Sequence, residues 1–286
     1  MASLISLGQV IDKSIAHYSK HFVGLLSITA WIIVASVPAA LAKLMQPYVT
    51  GTAATPLHVL TIILNYAGAL LIGVVSVWAL LAAIITIKEQ AAGNKVDQKD
   101  TNKKAWKLFF SYIWISILTS LVLIVISIPP ALGIILVMID STRETASALS
   151  MIGGLLLLVG SFVSFLLAVR YSILYGFAPF ALALDKITGT KALMHSAKLV
   201  TGRWWGVLIA FVVPKIIYLL ISFILNFLLF ISLTIILFLT ISDLNLYQGI
   251  GNATWMILGS MITALSIPLF VLTDFYIYDS LRNSRD

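Results

Sequence analysis

The chain has 286 residues, of which 60% are hydrophobic and 10% charged, against about half apolar and a quarter charged in soluble domains. So few polar groups cannot cover that much apolar side chain in water, which excludes a soluble globular protein and leaves lipid as the solvent. The formal net charge of +7 is carried by residues lying between apolar spans, so it points to anionic headgroups and not to nucleic acid. Cysteine is absent, which excludes disulfides and thiolate metal sites.

Residues 3–22 place Leu4, Leu7, Ile11, Ile15, Tyr18 and Phe22 at helical spacing, with Asp12, Lys13, Ser14 and Lys20 largely on other faces. This is the period of an amphipathic helix, and Ser6 with Gln9 forms a capping-box pattern at its start. Ala40-Leu41-Ala42 before Lys43 imitates a cleavage site. The preceding stretch is too long and patterned for an ordinary signal peptide, which favours an uncleaved interfacial helix over about 3–21.

Six apolar blocks follow, at about 22–42, 57–87, 106–139, 146–184, 204–241 and 246–273. About 20 apolar residues suffice to cross the hydrocarbon core, so several blocks need a break, a tilt or a protruding end. Proline marks where: Pro129-Pro130 in the third block, Pro179 late in the fourth, Pro214 early in the fifth and Pro268 in the sixth. The expected fold is an all-α polytopic membrane protein. It has six transmembrane helices and cytoplasmic-side amphipathic helices, in one membrane domain over 1–286.

Lys and Arg crowd one set of links. Lys13 and Lys20 lie in the N-terminal arm, and Lys88, Lys95, Lys99, Lys103, Lys104 and Lys107 lie between spans two and three. Lys186, Lys191, Lys198 and Arg203 lie between spans four and five, with Arg282 and Arg285 in the tail. The opposite links hold only Lys43 and Arg143. The positive-inside rule then puts both termini in the cytoplasm of a cell whose inner or plasma membrane holds the chain, in agreement with an even number of crossings. Polar stretches near 3–21, 95–107 and 188–203 each precede an aromatic-rich entry into a pair of spans. Two readings stay open: three repeats of interfacial helix plus hairpin, or the three hairpins that any six-span chain contains.

The sequence offers no Walker A loop, dinucleotide fingerprint or nucleophile elbow. His17 and His21 have ligand spacing but no acidic companion, so headgroup-facing histidines are expected and no metal or cofactor. Gly153, Gly154 and Gly160 suit close helix packing. Lys215, just after Pro214, is the main intramembrane polar candidate. Counted from Trp204 it lies about 16 Å deep and would line a polar path; if 204–214 runs along the interface it snorkels instead, the preferred reading. Arg170 anchors at the surface. Asn65 and Asn226 are expected to bond between helices. The segment 185–203 reads as an amphipathic helix closed by Gly202, with Ala192, Leu193, Ala197, Leu199 and Val200 on its apolar side. Trp204 and Trp205 mark headgroup level, where contact with anionic lipid is one role and topology control the other.

Arg170-Tyr171, Ala178-Pro179, Leu184-Asp185, Lys191-Ala192-Leu193, Ser196-Ala197-Lys198-Leu199-Val200 and Gly202-Arg203-Trp204-Trp205 form a familiar succession. With the start Leu7-Gly8-Gln9-Val10-Ile11-Asp12 and the ending Tyr276-Ile277-Tyr278-Asp279-Ser280-Leu281-Arg282, it resembles the membrane domain of glycerophosphoryl diester phosphodiesterases and its stand-alone relatives. The resemblance implies a membrane module without the catalytic barrel, because no His is followed by Arg and no soluble segment is long enough for one. It also implies cytoplasmic-face positions for Arg170, Asp185, Arg203, Trp204, Asp279 and Arg282, some of them joined by salt bridges. The expected function is a non-enzymatic structural, lipid-facing or partner-binding module, with a small-molecule or lipid transporter as the alternative. Protein partners are not legible, and a homo-oligomer is permitted by the small-residue faces.

Overall fold

The computed structural model describes residues 5–49, 55–140 and 148–284. Leu4, Arg143 and Arg285, used above, lie outside them. Ten α-helices make up the described chain: α1 Leu7–Thr29, α2 Trp31–Met45, α3 Pro56–Ala91, α4 Gln98–Ile126 and α5 Ile128–Asp140; then α6 Ala148–Tyr175, α7 Ala178–Asp185, α8 Gly189–Val200, α9 Trp204–Thr240 and α10 Leu244–Asn283. Among the described residues five runs are long and apolar enough to cross a membrane, or six if α1 and α2, bent by 41°, count as one broken span. The chain is an all-α integral membrane protein.

The expected interfacial helix is not a separate element. Ser6 caps α1 through the capping box, and the helix runs on into the first span past a kink at His21 (φ −117°, ψ 21°). Residues 98–107 are likewise the opening turns of α4, so α8 alone among the three expected amphipathic segments is a helix of its own. The third apolar block breaks at Ser127, immediately before Pro129-Pro130, as the loss of a backbone donor dictates. The fourth breaks at Gly176-Phe177, with Pro179 in the first turn of α7.

The described chain packs as two compact units, Met1–Phe109 with Ile209–Asp286, and Phe110–Leu208. In the first, the core is the C-terminal part of α3, where Trp78, Ala79 and Leu81 through Ile87 are all buried, together with Val271, Leu272, Phe275, Ile277 and Tyr278 of α10. Gly68 lets α3 approach α2 closely: a Cβ there would lie 2.5 Å from the Ala39 nitrogen. In the expected apolar stripe of α1, Ile15 and Phe22 turn outward while Leu7, Ile11 and Tyr18 are half-buried, and Val10, Ser14 and His17 are buried. Lipid accepts large apolar side chains, so contact faces between membrane helices go to small and polar residues.

In the second unit, α5 and α6 are antiparallel. Gly133 faces Leu157, Gly153 faces Leu136 and Val137, and Gly160 faces Pro129 and Pro130, while the Ser164 hydroxyl donates to the Ile126 carbonyl at 2.6 Å. Gly153 and Gly160 thus serve close packing, whereas nothing lies within 4 Å of a Cβ at Gly154. Ser196 of α8 mends the α6–α7 break. Its hydroxyl donates to the Leu174 carbonyl at 2.6 Å and accepts from the Phe177 N–H at 3.2 Å.

Candidate functional site

The chemistry-bearing side chains of the first unit gather around the last turns of α10. Asp274 sits there between Thr273 and Phe275, and Lys215 reaches it from α9. The ammonium lies 2.8 Å from Oδ1 and donates to Oδ2 at 3.0 Å. Their side chains are 22% and 16% exposed. The face of Phe211, one turn before Lys215, covers the ammonium at 3.1 Å from the ring centre, a cation–π contact that partly replaces water around the charge.

Helix lengths place this pair. Lys215 is about 37 Å along α9 from Thr240 and Asp274 about 45 Å along α10 from Leu244, at about 1.5 Å per residue. The hydrocarbon core is about 30 Å thick. With the far helix ends at one boundary the pair reaches the other, and with Trp204 at headgroup level Lys215 lies about 16 Å inside it. Lys215 does not snorkel alone: it is paired with a carboxylate in the neighbouring span.

A second polar group sits beside it. His17 is 8% exposed. Its Nδ1 lies 2.9 Å from the Tyr276 hydroxyl and its Nε2 3.0 Å from Gln90 Oε1. A carbonyl oxygen only accepts, so Nε2–H donates to Gln90 and, in the neutral ring, Nδ1 accepts from Tyr276. His17 is thus a buried link between α1, α3 and α10, and the expectation that it faces headgroups is corrected. Further links have the same character. Tyr18 donates to the Leu265 carbonyl at 3.0 Å, Thr29 to the Ala264 carbonyl at 2.7 Å, Ser36 to Ser260 at 3.0 Å, and Ser222 meets Ser266 at 2.9 Å. Nearby, Lys13, Gln9, Tyr276 and Asp279 line a cleft of ≈ 270 Å³.

The other sequence candidates are dispersed. Arg170 is exposed on α6 and Arg282 on α10, and Arg203 is half-buried before α9. Asp185, 13% exposed, ends α7 with His195 Nε2 at 3.8 Å from Oδ2, an ion-pair separation and too long for a hydrogen bond. Trp204 and Trp205 meet edge to face with centroids 4.7 Å apart; Trp205 is 71% exposed, as a headgroup anchor should be. Asn226 donates within its own helix, to the Ser222 carbonyl at 2.8 Å. Among the described residues no cluster of three His, Cys, Asp or Glu could hold a metal.

Sequence reasoning missed Asp274, one residue beyond the sixth block as drawn, and the signal was available: Lys215 and Asp274 are isolated opposite charges in consecutive spans. His17, Gln90 and Tyr276 are separated by 73 and 259 positions, and no local pattern joins them. The chain matches no protein-family model, no curated protein and no solved structure.

Proposed function

We propose that the chain is a non-catalytic, lipid-facing module of a cell membrane, its termini and basic links on the cytoplasmic side. The observation that carries this reading is where its side chains are used. The polar groups of the first unit bond to one another and to helix carbonyls, as interhelical ties do. The most apolar stretches of α4, of 148–185 and of α9 are only 11%, 6% and 0% buried, which is the surface of a protein solvated by acyl chains. The basic loops supply the orientation, and the sequence resemblance to the stand-alone phosphodiesterase membrane domains agrees with a module lacking a catalytic barrel.

Spin labels at Leu155, Leu158, Phe162 and Phe165, which are 63–74% exposed, test it in bilayers. Free collision with oxygen and little with a water-soluble nickel complex is the expected result. Protection from both reagents would mean that a partner or a second copy covers α6, and would overturn the lipid-facing reading.

One observation favours a permease-like reading, namely the Lys215–Asp274 pair, because charge at membrane level is costly and is kept where it serves. A cysteine at Tyr218, buried one turn from Lys215, separates the two. Reaction with a membrane-impermeant thiol reagent supports a path, and no reaction supports a packed tie.

A further inference from the structure

At the end of the first hairpin remote from His17, a cavity of ≈ 440 Å³ opens between the end of α2, the 3-10 turn Gln46–Tyr48 and the start of α3. Its polar wall is Lys43, Gln46, His58 and Asn65, its apolar wall includes Val49 and Ile62, and no carboxylate lines it.

Thr61 in the same lining is satisfied by the Leu57 carbonyl at 2.8 Å, but Lys43, His58 and Asn65 have no anionic acceptor among the described residues. Lys43 donates only to the neutral Gln46 Oε1, at 3.3 Å, and meets no carboxylate among the described residues. The buried Nδ1 of His58 has no hydrogen-bond partner among them either. Asn65 is exposed on a span with no hydrogen-bond partner among the described residues, a costly position for an amide facing lipid. His58 also lies in the first turn of α3, whose N-cap Thr55 accepts from its N–H at 3.2 Å, at the positive end of the helix.

Depth fits a headgroup. His58 and Asn65 lie about 3 and 14 Å along α3 from Pro56. With 36 residues, α3 overreaches the hydrocarbon, so this stretch spans the headgroup layer and the first acyl methylenes. Tyr66, 71% exposed, is the amphipathic side chain expected at that level.

We infer that this cavity binds a phosphate group, that of a phospholipid headgroup in the leaflet remote from His17. Lys43 and His58 supply charge-assisted hydrogen bonds, Asn65 donates to an ester oxygen, and Val49 and Ile62 meet the start of the acyl chain. This inference rests on the lipid-facing reading, but its test reads residues of α2 and α3 and none of α6, so its failure and that of the lipid-facing reading are separate outcomes.

The test uses the full chain in nanodiscs of digalactosyl diacylglycerol doped with phosphatidylglycerol, with retained lipid counted by native mass spectrometry. Wild type should retain one phosphatidylglycerol in preference to the phosphate-free lipid. Retention should fall by more than about tenfold in the Lys43→Gln/His58→Gln double variant, which removes both charge-assisted bonds, and stay unchanged in Lys88→Gln at the other end of α3. Equal retention by wild type and double variant, or no preference for the phospholipid, overturns the site. Inorganic phosphate raising the melting temperature in undoped nanodiscs, and failing to do so in the double variant, would assign the cavity to a soluble phosphate and overturn the lipid assignment. If the double variant does not fold, Lys43→Arg must keep wild-type retention and Lys43→Glu lose it; no difference between these two overturns the proposal.

Discussion

The ammonium of Lys215 sits 2.8 and 3.0 Å from the two carboxylate oxygens of Asp274, tying α9 to α10. Removing one partner strands the other at a site that is four-fifths buried. Fully buried pairs lose about 3–5 kcal/mol on such a change, and the residual exposure lowers this to about 1–3 kcal/mol. Asp274→Asn and Lys215→Met should each lower the thermal unfolding midpoint in detergent, and the exchanged pair Lys215→Asp/Asp274→Lys should recover at least half of the loss. Additive losses in the exchanged pair would refute the tie.

Glycine tolerance should follow helix approach. Gly68→Ala forces a Cβ to 2.5 Å from the Ala39 backbone, whereas nothing lies within 4 Å at Gly73. Overpacking costs about 1–3 kcal/mol, so Gly68→Ala should reduce the yield of monodisperse protein. Gly73→Ala should leave it unchanged or raise it slightly, because alanine favours the helix. Equal yields would show that α2 and α3 are further apart than described.

Ser196→Ala removes the hydroxyl that bridges the Leu174 carbonyl and the Phe177 N–H. Two buried backbone groups then lose a partner, at a cost of about 1–3 kcal/mol. Hydrogen exchange should speed up at Phe177, with little change at α3. Unaltered exchange at Phe177 would mean that the break between α6 and α7 is held by something else.

The bridge through His17 joins three helices, so Tyr276→Phe and Gln90→Leu should be coupled. The double variant should lose less stability than the sum of the singles, by about 0.5–1 kcal/mol. Strict additivity would indicate that the two hydrogen bonds form independently.

How much of this was legible in the sequence differs by link. Class follows from composition and block length, because lipid imposes a simple requirement on the backbone, and the expected six spans stand against five, or six with the bent pair α1 and α2. The helix breaks beside Pro129 and Pro179 were legible for the same reason. The contact faces were not: α1 read as an interfacial helix with His17 toward the headgroups, yet Ser14 and His17 are buried against neighbouring helices. Ser196 was hidden among small residues of α8, since its role depends on a break twenty residues earlier. Lys215 was noticed as a charge but read as a lone one, since Asp274 lay just outside the apolar block.

Six crossings with both ends on one side is the claim on which the rest depends. The absence of cysteine makes a clean test simple: single cysteines at Lys99, Lys191, Ser242 and Arg282, labelled in sealed vesicles with a membrane-impermeant maleimide. Positions 99, 191 and 282 should react from the same side and position 242, in the link between α9 and α10, from the other. Labelling of 99 and 282 from opposite sides would contradict the account.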